Sequence, residues 1–209
     1  RVVVDNKNIK VIFFDIGGVL LEIHPDKMFH CISSTTGIPV EEVKSSFPEK
    51  SHDIYEKGQM TNKEWFQVFK IALSNNSYLT ENKFWEAWAM ILGKETKVID
   101  VLLDLKKYYK VWLLSNTNPK HISDELDNKY VFPHLVDGTI YSYKVGLRKP
   151  DKEIYLKACE LAEVEPKESV FIDDLSENIY GAKKIGLNGI HYKSVTTLKN
   201  ELKLLGIVE

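Results

Sequence analysis

An almost unbroken apolar run, Lys10-Val11-Ile12-Phe13-Phe14, stops at a carboxylate, Asp15, and two glycines follow at positions 17 and 18. Short runs of β-branched and aromatic residues bounded by turn residues read as strands buried on both faces. A carboxylate at the end of such a strand stands on the carboxyl edge of a parallel sheet, where open α/β folds hold their ligands. The glycines let the backbone turn sharply and approach a bound group closely. Asp15 is therefore the first candidate for chemistry. By itself the stretch also reads as a buried strand whose Asp bonds the amides of the next loop.

A chain of 209 residues, 44% apolar and 28% charged, has room for one large domain or a core with a smaller insertion. A formal net charge of -2 gives no electrostatic reason to expect nucleic acid or an anionic membrane as a partner. Cys31 and Cys159 lie far apart, without the spacing of a metal site or disulfide, and read as packed, reduced thiols. No apolar stretch reaches the length of a membrane span. Arg1-Val2-Val3-Val4-Asp5 has no long apolar region behind its charge, so no signal peptide is visible and a cytoplasmic location is expected. The oligomeric state is not legible.

Leu21-Glu22-Ile23-His24-Pro25 leads away from the first strand, and residues from about Pro25 to Gly93 read as helices only. Thr61-Asn62-Lys63-Glu64 matches a capping box, with Trp65, Phe66, Phe69 and Leu73 on one face behind it. Thr80 opens a further helix carrying Phe84, Trp85, Trp88 and Leu92. Such aromatics read as helix-packing core. From residue 94 strand and helix alternate, beginning with a helix expected over about Lys94 to Tyr109. Strands are expected at Lys110–Ser115, Gly138–Ser142, Ser169–Asp174 and Gly189–Tyr192. The pattern is that of a parallel sheet covered on both faces. Right-handed crossovers would bring the strand ends to one edge.

Asp15, Ser115-Asn116 and Asp173-Asp174 end three of these strands, and Lys149-Pro150 lies in a loop between the last two. With this order the sequence resembles the haloacid dehalogenase superfamily of phosphotransferases. Phe14-Asp15-Ile16-Gly17-Gly18-Val19, Leu113-Leu114-Ser115-Asn116, Lys149-Pro150 and Phe171-Ile172-Asp173-Asp174 match its four motifs in sequence. The motif neighbourhoods look most like the bacterial α-glucose-1-phosphatase branch and the N-terminal phosphatase domain of soluble epoxide hydrolases. The resemblance implies a Rossmann-like three-layer core over residues 8–22 and 94–209. A helical-bundle cap, residues 23–93, would be inserted after the first strand.

The resemblance further implies a Mg2+-dependent phosphatase acting on a small phosphorylated metabolite. Phosphoryl transfer is catalysed mainly by positioning and charge neutralisation. Asp15 would be the nucleophile, forming an aspartyl-phosphate. Asp15, the Gly17 backbone carbonyl and Asp174 would hold Mg2+, with Asp173 and Asn178 supporting them. Lys149 would neutralise the nucleophile and the phosphoryl oxygens. Ser115, Asn116 and nearby amides would bind the remaining oxygens.

One position departs from the family pattern. Most phosphatases of this kind carry a second Asp two residues after the nucleophile, which protonates the leaving group and later activates water; here that position is Gly17. Losing a general acid typically costs roughly 10²- to 10⁴-fold in rate. Three consequences are open. The leaving group needs little help, as with the anomeric oxygen of glucose 1-phosphate; or Glu22 or His24 enters from the linker as substitute acid/base; or the site binds metal and phosphate with little turnover. Dehalogenation also uses an Asp without the second carboxylate, but leaves Asp173-Asp174 unexplained.

Overall fold

The computed structural model describes residues 8–74 and 78–208; the Arg1–Asp5 segment lies outside them. The first apolar run forms strand β1, Val11–Phe14, with all four residues buried. Period-two alternation sends Ile12 and Phe14 into one hydrophobic cluster and Val11 and Phe13 into the other. Each fully buried side chain of this kind contributes about 1.5–3 kcal/mol.

The remaining strands are β2 (Leu21–Ile23), β3 (Leu92–Glu95), β4 (Lys110–Ser115), β5 (Gly138–Tyr141), β6 (Ser169–Asp173) and β7 (Asn188–His191). Five of them make one sheet in the order β5-β4-β1-β6-β7, and every pairing in it is parallel. The helices are α1 (Pro25–Thr36), α2 (Val40–Ser45), α3 (Glu49–Glu56), α4 (Asn62–Ala72), α5 (Glu81–Ala89), α6 (Val98–Leu105), α7 (Asp127–Lys129), α8 (Ser142–Val145), α9 (Lys152–Ala162), α10 (Ser176–Lys184) and α11 (Val195–Leu204). Apolar residues of α6 and α11 cover one face of the sheet, those of α9 and α10 the other. This is a Rossmann-type layering. A π-helix, His121–Leu126, follows the loop after β4.

Helices α1 to α5 close on a core of their own, which includes Tyr55, Trp65, Phe69, Phe84 and Trp88. Thr61 and Glu64 form the expected capping box at the start of α4. Tyr55 stacks on Trp65 with ring centroids 5.4 Å apart. Among the described residues no helix is long and apolar enough to cross a membrane.

The structure departs from three of the expected elements. The stretch read as helices only ends in strand β3, which pairs antiparallel with β2 in a two-stranded ribbon, and the helix expected from Lys94 begins at Val98. Leu92-Gly93-Lys94-Glu95 has a single apolar side chain, and its partner lies across the whole helical region, so local pattern could not show it. Ser142, expected to end a strand, instead opens the short helix α8.

Candidate active site

Parallel register carries the strand ends to one edge. Phe14 lies opposite Leu113 of β4 and Ile172 of β6, and the Asp15 amide donates to Ile172 O at 2.9 Å. Asp15, Ser115 and Asp173 therefore emerge side by side, all buried.

Lys149 reaches this edge from the loop before α9. Only 1% of it is exposed, and its Nζ donates to Leu114 O at 3.0 Å and Asp173 Oδ2 at 2.6 Å. The same nitrogen lies 2.9 Å from Asp15 Oδ1. Burial alone would depress this lysine, but the two carboxylates outweigh it and hold the ammonium above its usual range. Asp15 Oδ1 also accepts from Ile16 N at 2.8 Å, and among the described residues nothing donates to Oδ2. Burial pushes the Asp15 carboxyl up to about 7, against the attraction of Lys149 and with the repulsion of Asp173.

Asp173 is fully engaged. Its carboxylate accepts from Leu175 N, from Asn178 Nδ2 and from Lys149. Asn178 is fixed in turn by Tyr155, whose hydroxyl donates to Asn178 O at 2.7 Å. Asp174 is less enclosed, and burial followed by repulsion from Asp173 raises its carboxyl. A Cβ on Gly18 would sit 2.3 Å from Asp174 Oδ2, and Gly18 has φ +80°. Only glycine lets the carboxylate settle this close to the loop backbone. Carboxylate oxygens of Asp15, Asp173 and Asp174 lie within 4.8 Å of one another.

Several expected residues sit differently. Asn116 uses its side chain on Lys149, accepting from the Lys149 amide at 2.8 Å and donating to its carbonyl at 2.9 Å. Its side chain thereby fixes the Lys149 backbone. Of the amides beyond Ser115, that of Thr117 is donated to Ser142 Oγ. Ser115 lines the cavity, with one weak contact at 3.4 Å from its hydroxyl to Asn116 O. Glu22 and His24 are not brought to the cavity. They face each other at 3.2 Å and pack over Gly93, while Ile23 between them points inward. Strand alternation explains this: an inward Ile23 sends both neighbours to the opposite face.

The cavity over Asp15 holds about 410 Å³, and its far wall comes from helices α1, α3 and α5 with Phe47, Ile91 and Leu92. Among the lining side chains that escaped the sequence reading are His52, Glu56 and Arg148. Arg148 Nε donates to Glu56 Oε2 at 2.6 Å, and His52 Nε2 lies 3.7 Å from Glu56 Oε1. Burial lowers the His52 imidazole despite Glu56. His121, at the start of the π-helix, also reaches the cavity. Its Nε2 donates to Trp88 O at 3.0 Å, and Asn118 Nδ2 donates to its Nδ1 at 3.1 Å. Burial pushes that imidazole down to about 4. The nearest signals in the sequence were Arg148 beside Lys149 and a run of polar residues in a short helix, neither distinctive.

Known proteins resemble this chain over most of its length. A D-ribitol-5-phosphate phosphatase of Bacteroides thetaiotaomicron is 26% identical over 219 aligned positions, covering 94% of this chain and 98% of that protein. A sesquiterpene phosphatase of Aspergillus oryzae is 23% identical, over 94% of this chain and 96% of its own. A crystal structure of a HAD family enzyme from B. thetaiotaomicron, in complex with magnesium and inorganic phosphate, superposes with a TM-score of 0.79 at 25% identity. It covers 91% of this chain and 98% of that one. The haloacid dehalogenase-like hydrolase model matches residues 9–186, and the chain belongs to that family.

Proposed function

We propose that this chain is a Mg2+-dependent phosphatase acting on a small phosphomonoester, with Asp15 as nucleophile and the helical segment 23–93 as its cap. The observation that carries the reading is a buried cation, Lys149, set between Asp15 and Asp173 in a group of three carboxylates. Phosphoryl transfer needs such charge to bring a dianion to a carboxylate. The related D-ribitol-5-phosphate phosphatase and the magnesium–phosphate complex support the same chemistry.

The donor set fits Mg2+. Asp173 is already satisfied by protein hydrogen bonds, so Asp15 and Asp174 are left to offer oxygens. Burial raises both carboxyls and Asp173 repels both, an arrangement that a hard divalent cation relieves. Asp15, the Gly17 carbonyl and Asp174 would hold the ion, and Asp173 and Asn178 would orient its surroundings. When bound it supplies charge neutralisation for the phosphoryl group.

Asp15 Oδ2 attacks phosphorus as the bond from phosphorus to the alcohol oxygen breaks. The alcohol oxygen keeps the bonding pair and takes a proton from water, since position 17 carries no acid. A second water attacks the aspartyl-phosphate at phosphorus, freeing Asp15 and inorganic phosphate. Lys149 holds its charge against Asp15 throughout, and Asn116 keeps the Lys149 backbone in place. Glucose 1-phosphate, whose anomeric oxygen leaves readily, remains within this class. The two relatives are named for a polyol phosphate and for a sesquiterpene, so each chain's own cavity selects the alcohol.

Gly17 favours one second reading, a site that holds metal and phosphate with little turnover. Phosphate release over a panel of phosphomonoesters, with and without Mg2+, separates the two. We expect release that requires Mg2+ and falls at least 100-fold in Asp174→Ala without a change in melting temperature. Release that survives excess chelator in both proteins removes the phosphatase reading. Phosphate binding without release from any ester selects the second.

A further inference from the structure

The cavity is the size of a small-molecule site, larger than a phosphate alone requires. Its wall opposite Asp15 is built from Met28, Phe29, Phe47, Trp88, Ile91 and Leu92. Among the described residues the polar side chains on that wall are His52 and Glu56, outnumbered by the six apolar ones. Glu56 accepts from Arg148. The His52 ring packs against Phe47 and Trp65, at 5.3 Å from each. On the floor, His121 is committed to Trp88 and Asn118. A sugar or polyol brings about one hydroxyl per carbon, and a hydroxyl taken from water without a partner costs more than a made bond returns. Hydrocarbon placed against the same wall is stabilised in proportion to the area it buries.

A second observation points the same way. Gly17 offers no acid, so among hydrocarbon alcohols a phenol, which leaves without protonation, suits the site better than an alkanol. A phenolic oxygen meets both conditions at once.

Resting on the phosphatase reading of this site, we infer that the alcohol half of its substrate is hydrocarbon-rich, an aromatic ring or a branched chain, and not a polyol. The specificity wall is Phe29, Phe47 and Ile91, and the phosphoryl group is held at Asp15 and Lys149.

Unreactive phosphonates test the inference apart from turnover. Calorimetry in Mg2+ compares 3-methylbutylphosphonate with 3,4-dihydroxybutylphosphonate, which match in length and in the anion. We expect the hydrocarbon compound to bind at least tenfold more tightly, with a negative heat-capacity change. Phe29→Gln and Ile91→Gln, both at half-buried positions, should each shrink that ratio threefold or more. Equal or tighter binding of the diol, no binding of either compound, or an undiminished ratio in both folded variants overturns the inference. A parallel release assay uses phenyl phosphate, 3-methylbutyl phosphate, glucose 1-phosphate and ribitol 5-phosphate. Polyol esters turned over with equal or higher kcat/KM overturn the inference and leave the phosphatase reading standing. Apolar preference in binding, with no release from any ester, overturns the phosphatase reading and leaves the binding preference.

Discussion

Arg148 Nε donates to Glu56 Oε2 at 2.6 Å, and its Nη2 lies 3.2 Å from Asp53 Oδ1. The residue next to Lys149 is thus tied to helix α3 in the wall of the cavity. Glu56 has 9% of its side chain exposed and Arg148 28%. Removing the arginine strands a buried carboxylate, whereas amidating the glutamate leaves an acceptor of the same shape. Arg148→Ala should therefore cost about 2–3 kcal/mol, discounted for the partial exposure of the pair, and Glu56→Gln less than half of that. Urea denaturation measures both. Equal losses would show that the pair does not organise this contact.

Gly17 explains a second expectation. It lies outside the left-handed region, so a side chain is compatible with its backbone, but a Cβ there would come 3.1 Å from Ile23 Cγ2. Gly17→Asp alone should change little, because Ile23 stands where the carboxylate must go. Gly17→Asp with Ile23→Ala should raise kcat for a poor leaving group such as glycerol phosphate by about 10- to 100-fold, and for phenyl phosphate far less. A uniform effect on both esters would contradict a general-acid origin.

These residues also mark what the sequence could and could not show. The core strands were legible because Lys110–Ser115 and Ser169–Asp173, like β1, are dense in apolar residues and end in polar ones. Those strand ends marked Asp15, Ser115 and Asp173-Asp174, and the order of the motifs, with the family resemblance, joined Lys149 to them. The ribbon of β2 and β3 was not legible, since its strands are three and four residues long and pair across the helical region. Glu22 and His24 were misplaced for the same reason: without the ribbon, nothing said that Ile23 faces inward. His52 and Glu56 sit in a short helix rich in charge, and their meaning comes from Arg148, far along the chain. Asn116 was identified as a site residue, but its hydrogen bonds to Lys149 belong to tertiary structure alone.

His121 makes stability depend on pH. In the unfolded chain an imidazole takes its proton near 6.5, whereas burial holds the folded one at about 4. Above pH 6.5 both states are neutral and nothing is lost. As pH falls from 6.5 toward 4 the unfolded state gains a proton that the folded state refuses, so stability drops. Between pH 7 and pH 5 this amounts to about 2 kcal/mol. His121→Phe keeps a ring against Trp88, which stacks on His121 at 5.3 Å, and should remove that part of the slope. Denaturation of both proteins at the two pH values gives the difference; identical slopes would mean that His121 accepts its proton in the fold.

Asp15 as a covalent nucleophile, with no acid/base at position 17 to activate water, has a kinetic signature. Attack should outpace hydrolysis of the aspartyl-phosphate, so the phosphoenzyme accumulates. Acid-quenched flow with phenyl phosphate in Mg2+ measures phenol and phosphate separately through the first turnover. A covalent Asp15 gives a burst of phenol close to one per active site, with a hydroxylamine-sensitive phosphoryl group on the peptide containing Asp15. Both should be absent in Asp15→Asn. Phenol and phosphate released in step without a labelled peptide, together with activity retained in Asp15→Asn, would contradict it.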